Sequence, residues 1–378
     1  MKIELTDQQQ VMRTSFREFS ERHLRPYANQ FDREERIPGE LVRSLADLGY
    51  LGLVVPKREG GSGDDMITFG LLNEELGRGC SSVRSLITVH SMVAYVIHKW
   101  GSQLHKNTWL QNLIAGERIA AFALSEPNVG SDAKSIETTA ELNGDRYILN
   151  GCKKWITFGQ IADLFLIFAQ HSGKVSAFLV ERSTPGLSVR PIAGMLGTRA
   201  SMLAELHLEN CTVAKSHLIG GVGFGLAAIA ASGLDIGRYS VAWGSVGIAQ
   251  AALEDSLAYT RTRRQFDAYL KDHQLICEMI TDMQVGTQAA RLLCLQAGYL
   301  KDIGSPETIM ATLTAKYFAA RAAMKAAADA VQIQGANGCS GDSSVQRYFR
   351  DAKVMEIIEG SNQIQQLIIA RHAYQHSP

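Results

Sequence analysis

The chain has 378 residues, with 38 Lys+Arg balanced by 38 Asp+Glu for a formal net charge of zero. That balance excludes a general nucleic-acid binder and a polybasic membrane-surface protein, both of which need an excess of cations. Apolar residues make up 46% and charged residues 20%, as in globular proteins, and a chain this long can bury its core without disulfides or a structural metal.

The opening MKIELTDQQQ has neither an apolar h-region nor an Arg-rich transit character. No apolar run reaches the ~20 residues of a membrane span. A soluble, cytoplasmic protein is expected. Thr6-x-x-Gln9 resembles a capping box, and Val11, Met12, Phe16, Phe19 and Leu24 then recur at a spacing near 3.6. Periodic helical runs follow at 41–53, 67–76 and 83–100, with a Gly-rich loop at 56–63. From 119 to about 218 the texture changes to short alternating runs punctuated by Gly, Asn and Ser-Thr-Pro, which predicts strands of a sandwich or barrel. Helical texture returns from 226. Ser305-Pro306-Glu307 reads as an N-cap, a proline at the first helical position and an acidic first turn. An Ala-rich stretch at 310–331 predicts close helix packing. The eight prolines in the whole chain also favour helix. The expected organisation is α+β, with a helical domain at 1–118, a β domain at 119–225 and a helical bundle at 226–378. This order lacks the βαβ alternation of a doubly wound sheet.

The six cysteines are widely separated, with no CxxC and no zinc spacing, and read as reduced core thiols. Gly221-x-Gly223-x-Gly225 lacks the GxGxxG spacing and a βαβ setting, so a domain-joining turn is the better reading. Walker A, HExxH and GxSxG are absent. Three blocks stand out. Residues 124–132 (LSEPNVGSD) combine hydroxyls, proline and glycine in a loop that can present N–H and O–H donors to a planar polar ligand. Lys154-Trp155-Ile156-Thr157 would place the indole and the hydroxyl on one face of a strand. Glu359 follows two apolar residues and precedes Gly360, a setting that desolvates a carboxylate and suits it to act as a base.

Together LSEPNVGSD, KKWIT, RTRRQF, His273-Gln274, VQIQGANG and IIEGS, in this order, resemble the acyl-CoA dehydrogenase family of flavoproteins over essentially the whole chain. The resemblance implies the acyl-CoA dehydrogenase fold: an N-terminal helical domain, a middle β domain and a C-terminal four-helix bundle. It implies FAD as cofactor, and removal of a proton and a hydride from the α and β carbons of an acyl thioester. By this resemblance Glu359 is the base. Some branches of the family carry the base one residue before the arginine that here is Arg238. That position is Gly237 in this chain. Arg238 resembles the arginine that packs near the base, Ser125, Trp155 and Thr157 match residues around the flavin ring, Ser131 matches a loop serine near both substrate and flavin, and Ile358 before the base is a further substrate-binding candidate. Arg263, Phe266, Gln274, Gln332 and Gly335 match positions that hold the diphosphate and adenine, often across a subunit interface. Ser361 and Gln363 match the FAD contacts after the base. A homotetramer or homodimer and an electron acceptor such as electron-transfer flavoprotein are further implications.

Two substrate branches compete. Ser81-Ser82-Val83-Arg84-Ser85 resembles the segment of glutaryl-CoA dehydrogenases whose arginine binds the distal carboxylate, a task suited to a planar guanidinium fork. Arg84 with its neighbours, 240–248 and 350–361 also resemble the acyl-carrier-protein-linked dehydrogenases that build hydroxymalonyl, methoxymalonyl or aminomalonyl extender units for polyketides. Ile358, where fatty-acyl and glutaryl enzymes carry Tyr, favours this second branch. The expectation is therefore a dehydrogenase of a short polar acyl group on an acyl carrier protein. A short-chain or glutaryl-type CoA substrate is the alternative. No nucleic acid, membrane or metal is expected. Asp267, Leu203 and Ala214 depart from the family pattern and put their local loop conformations in question.

Overall fold

The computed structural model describes residues 4–376. Thr6 opens the first helix as expected. Its Oγ1 accepts from Gln9 N at 3.2 Å and its own N donates to Gln9 Oε1 at 2.9 Å, a reciprocal cap on α1 (Asp7–His23). Two short helices follow, α2 (Ala28–Glu34) and α3 (Gly39–Asp47). The periodic run at 41–53 breaks early, because Gly49 at φ 74 turns the chain into a single 3₁₀ turn, Tyr50–Gly52. Next come α4 (Met66–Gly79) and α5 (Ser81–Trp100), which are buried along most of their length. Helices buried on all sides belong at the centre of a fold. Two short turns of helix, α6 (Gln103–His105) and α7 (Gln111–Ile114), close this region.

The middle region forms one connected sheet of eight strands. These are β1 (Ala120–Ala123), β2 (Thr139–Asn143), β3 (Arg146–Ile156), β4 (Leu164–His171), β5 (Lys174–Glu181), β6 (Leu187–Pro191), β7 (Ala204–Ala214) and β8 (Leu218–Ile219). The order is β6-β7-β3-β2-β4-β5-β8, with β1 added parallel to β4. β4 shows why its sequence is apolar without a break. Leu164, Leu166 and Phe168 join the core shared with α4 and α5, while Phe165, Ile167 and Ala169 join a second core with Tyr147, Phe178 and Leu206. A strand buried on both faces loses the alternating pattern, and each fully buried Leu or Phe contributes about 1.5–3 kcal/mol.

The C-terminal region is helical: α8 (Ala231–Thr262), α9 (Gln274–Asp302), α10 (Thr308–Gln334), α11 (Ser344–Met355) and α12 (Asn362–His376). A small hairpin, β9 (Arg264–Gln265) and β10 (Ala268–Tyr269), joins α8 to α9. The Ala-rich stretch packs as expected, with Ala319, Ala320, Ala323, Ala326, Ala327 and Ala330 all buried. The start of α10 differs from expectation. Ser305 Oγ accepts from Glu307 N at 3.3 Å and forms a separate turn, so the helix begins at Thr308. α8 crosses α4 at backbone contact: a Cβ on Gly77 would stand 2.7 Å from Gly244 O. This close crossing holds the N-terminal helices against the bundle and shapes the site below.

All six cysteines are free, but only Cys80, Cys211 and Cys294 are core thiols; Cys152 is half-buried and Cys277 and Cys339 are exposed. No helix among the described residues is long and apolar enough to cross a membrane.

Candidate active site

Glu359 lies in the connection between α11 and α12, at φ 56, followed by Gly360 at φ 92. Glycine adopts that region freely, whereas a non-glycine residue there costs of order 1–3 kcal/mol and persists only where its surroundings hold it. The surroundings are explicit. Arg238 Nε, from α8, donates to Glu359 O at 3.0 Å. Lys316 Nζ, from α10, donates to Gly360 O at 2.9 Å and lies 3.4 Å from Asn362 Oδ1. Gln365 Nε2 donates to Gly360 O at 3.1 Å. Two cations from two helices thus clamp the carbonyls of this turn and aim the side chain inward.

The carboxylate rests on α8 and α5. A Cβ on Gly237 would stand 2.5 Å from Glu359 Oε2 and 2.8 Å from Met92 Sδ. Oε2 is buried and accepts no hydrogen bond. Burial pushes this carboxyl above the usual range, and the charges of Arg238, Arg84 and Lys316 pull against it. A desolvated carboxylate with a free oxygen is a proton acceptor. Ile358, just before it, is half-buried and packs on the bundle core. Ser361 Oγ accepts from Ile364 N at 3.4 Å at the head of α12.

Arg84, on α5, is fully buried and pairs with no carboxylate among the described residues. Nη1 donates to Thr88 Oγ1 at 2.7 Å and Nη2 to Ser85 Oγ at 3.3 Å, while Nε has no partner. Behind it Thr88 Oγ1 lies 2.6 Å from Ser240 Oγ, which donates to Asn73 Oδ1 at 2.5 Å. Burial depresses the guanidinium to about 10, and Glu359 is the largest charge opposing that. Gly244 makes room for it: a Cβ there would stand 2.5 Å from Arg84 Cδ. On α8, Ser240 and Gly244 lie three and seven residues beyond Gly237, or roughly 5–10 Å along the axis. The free carboxylate and the guanidinium therefore lie against one stripe of α8, over Gly237 and Gly244.

A second group lies on the sheet. Ser125 is in the loop after β1, and its carbonyl accepts from Lys154 N at 2.9 Å. Ser131, further along the same loop, is exposed. The loop is anchored by a buried ion pair that sequence reasoning missed: Lys153 Nζ to Glu126 Oε1 at 2.6 Å. Its signal was a lysine inside a strand that otherwise reads as half-buried. The expected sharing of one strand face by Trp155 and Thr157 is not observed. β3 slips register between Lys153 and Ile156, Trp155 takes φ 63, and Thr157 lies beyond the strand end. The indole is 47% exposed as a result. Simple alternation does not survive a bulge.

A third group sits far from the first. Arg263 caps the C-terminal end of α8, 25 residues or roughly 38 Å of helix beyond Arg238. Phe266 follows in the hairpin, 92% exposed, and Gln274 starts α9. Gln332 and Gly335, at the end of α10, belong to the same end of the bundle, where Asn337 Nδ2 donates to Tyr259 Oη at 3.0 Å. Gly335, at φ 57 and ψ −136, occupies a conformation that needs glycine. One chain does not bring this group to Glu359. Asp267, the departure from the family glycine, sits at φ 59, a region Asp tolerates. Ala214, the departure from proline, keeps φ at −63, the value proline would impose.

The side chains of Ser125, Ser131, Trp155, Thr157, Arg263, Gln274, Gln332 and Gln363 form no hydrogen bond within the described chain. Hydroxyls, amides and a guanidinium left unpaired beside exposed aromatics fit an external group that is part flat ring and part polar tail.

The acyl-CoA dehydrogenase N-terminal, middle and C-terminal domain families match residues 6–117, 121–211 and 223–374. The short-chain-specific acyl-CoA dehydrogenase of Clostridium acetobutylicum is 38% identical over 376 residues, covering 98% of this chain and 99% of that protein. The short-chain-specific mitochondrial enzyme of Rattus norvegicus is 39% identical over 377 residues, covering 98% and 91%. Among solved structures, a glutaryl-coenzyme A dehydrogenase in complex with glutaryl-CoA superposes with a TM-score of 0.95 at 34% identity, covering 99% and 97%. FkbI, for biosynthesis of a methoxymalonyl extender unit, superposes with a TM-score of 0.88 at 33% identity, covering 96% and 99%. With a buried free carboxylate on this scaffold, the chain belongs to the acyl-CoA dehydrogenase family and is an FAD-dependent oxidoreductase of acyl thioesters.

Proposed function

We propose that this enzyme dehydrogenates a short acyl-CoA whose far end carries a polar or anionic group. The observation that carries this reading is the pair of groups set against one stripe of α8: Glu359, whose buried Oε2 accepts no hydrogen bond, and the buried guanidinium of Arg84, which has no counterion. Their contact points on α8, Gly237 and Gly244, are seven residues or roughly 10 Å apart along the helix, which favours a short acyl chain. A buried guanidinium without a counterion is costly, and an acyl group ending in a carboxylate would supply one. The identities to short-chain-specific enzymes favour CoA as the thiol. This is the alternative drawn from the sequence, and it is better supported than the carrier-protein reading. The carrier reading keeps one specific support, the likeness to FkbI, together with Ile358 beside the base.

In this reading Glu359 takes the proton from the carbon next to the thioester carbonyl and becomes neutral, which removes a charge from a desolvated site. Arg238 and Lys316 hold its turn and keep enough of it ionised to start the reaction. Positioning of this kind can supply much of the barrier reduction. Bound FAD supplies the acceptor for the hydride that leaves the next carbon. Ser125, Ser131, Trp155 and Thr157 would hold its ring, with Ser361 and Gln363 beside the base. Arg263, Phe266, Gln274, Gln332 and Gly335 would hold the polar tail of a neighbouring chain's FAD, because they lie too far from Glu359 to serve the same ring. A homo-oligomer, with electron-transfer flavoprotein as the electron acceptor, completes the reading.

The test is anaerobic mixing of the yellow holoenzyme with butyryl-CoA, glutaryl-CoA and the same acyl groups on a carrier protein. Bleaching by the CoA esters is expected, fastest with glutaryl-CoA, and Glu359→Gln should retain FAD yet lose bleaching by about 10²–10⁴-fold. Bleaching by carrier thioesters alone would replace the CoA reading with the carrier reading. A Glu359→Gln enzyme of unchanged rate would overturn the assignment of the base.

A further inference from the structure

Cys152 on β3 stands directly across from His207 on β7, and Glu205 precedes His207 by two residues, so it projects to the same face. All three are half-buried. The Cys152 thiol, a Glu205 carboxylate oxygen and a His207 ring nitrogen lie within 4.8 Å of one another. His207 Nε2 is 2.6 Å from Glu205 Oε1, yet it is buried and makes no hydrogen bond. The two groups are out of line for a hydrogen bond, so the buried nitrogen is held by close contact alone at the point where a sulfur and an oxygen converge.

We propose that Cys152, Glu205 and His207 form a zinc-binding site on the β3–β7 ladder, separate from the active site. Mixed sulfur, nitrogen and oxygen donors suit this borderline cation, whereas magnesium and calcium select oxygens. Bonds of about 2.0–2.3 Å place ligand atoms some 3–4 Å apart in a tetrahedron, so modest side-chain rotation closes the cluster. The fourth position is left for water. Binding forms Zn–S, Zn–N and Zn–O bonds, and the thiol proton leaves to solvent. Coordination removes the thiol proton outright. Two cations oppose the metal. Lys154 Nζ lies 3.4 Å from Glu205 Oε2, and Arg190 on β6 is the strand neighbour of Glu205. Lys154 competes with zinc for the Glu205 carboxylate. Its ammonium also lies 5.0 Å from the Trp155 ring centre, so metal binding would be felt beside the indole.

The test uses chelator-treated, tag-free holoenzyme titrated calorimetrically with zinc alone. Buffers of different ionisation enthalpy report proton release, and FAD absorbance and thermal unfolding report integrity. One zinc per chain is expected, with release of one proton. Cys152→Ser, which is nearly isosteric, and His207→Gln should each weaken binding by more than about tenfold, the scale on which even an outer partner of a metal matters. Lys154→Met should strengthen it. Wild-type enzyme that takes up no zinc would overturn the site. So would a folded Cys152→Ser variant of unchanged affinity and stoichiometry, which would place the metal elsewhere.

Discussion

Replacing Gly237 with alanine probes the position of the proposed base, Glu359, with a single methyl group. The new Cβ would stand 2.5 Å from Glu359 Oε2, whereas ordinary contact begins at 3.4 Å. The carboxylate must therefore retreat by about 0.9 Å, and Met92 Sδ, 2.8 Å from the same Cβ, must shift as well. Displacement of a reacting group by about 1 Å costs on the order of 10²-fold in rate. Stability should change far less. Alanine gains about 1 kcal/mol over glycine inside a helix, against an overpacking cost of about 1–3 kcal/mol. The expected Gly237→Ala enzyme is folded, yellow and slow. Stopped-flow reduction of its flavin by butyryl-CoA, beside a thermal melt, separates the two effects. A folded variant that bleaches at the wild-type rate would show that Glu359 does not act from its place over Gly237.

Arg84→Met should leave the unliganded enzyme as stable as wild type or raise its Tm, because an unpaired buried cation is removed. Reduction by glutaryl-CoA should fall about 10²-fold while reduction by butyryl-CoA is kept, a charge-assisted contact being worth about 1.5–3 kcal/mol. Equal losses with both esters would refute a role in reading the far end. Lys316→Met bears on pH dependence. The base must be ionised to work, so activity falls as pH drops through the Glu359 pKa, which burial raises and Lys316 lowers. Lys316, depressed to about 8 by burial, carries its charge below that pH. Its loss should move the acid limb of the kcat/KM profile to higher pH. An unmoved limb in a folded variant would leave Lys316 a purely structural role.

Much of the architecture was legible because it rests on local rules. The Thr6–Gln9 box, the small-residue face of α10 and the short strands from 119 onward each follow from spacing and residue type. The proposed base, Glu359, was legible only as part of a motif, since Ile-Ile-Glu-Gly alone also describes a surface helix end. What escaped notice depends on tertiary meetings. Lys316 sits in an Ala-rich helix where a lone lysine reads as solvent-facing, but the turn after α11 caps its ammonium. Thr88, Ser240 and Asn73 come from three helices and form a chain behind Arg84 that no spacing reveals. Trp155 and Thr157 were misplaced because a register slip is decided by the partner strand, not by the strand that carries them.

The touch between the Gly237 backbone and the Glu359 side chain also bears on how such enzymes diversify. One small volume can be reached from α8 or from the stretch after α11. A larger side chain on α8 at this point and a glutamate after α11 would therefore compete for the same space. Here the smaller residue on α8 is what leaves the vacancy that the glutamate occupies.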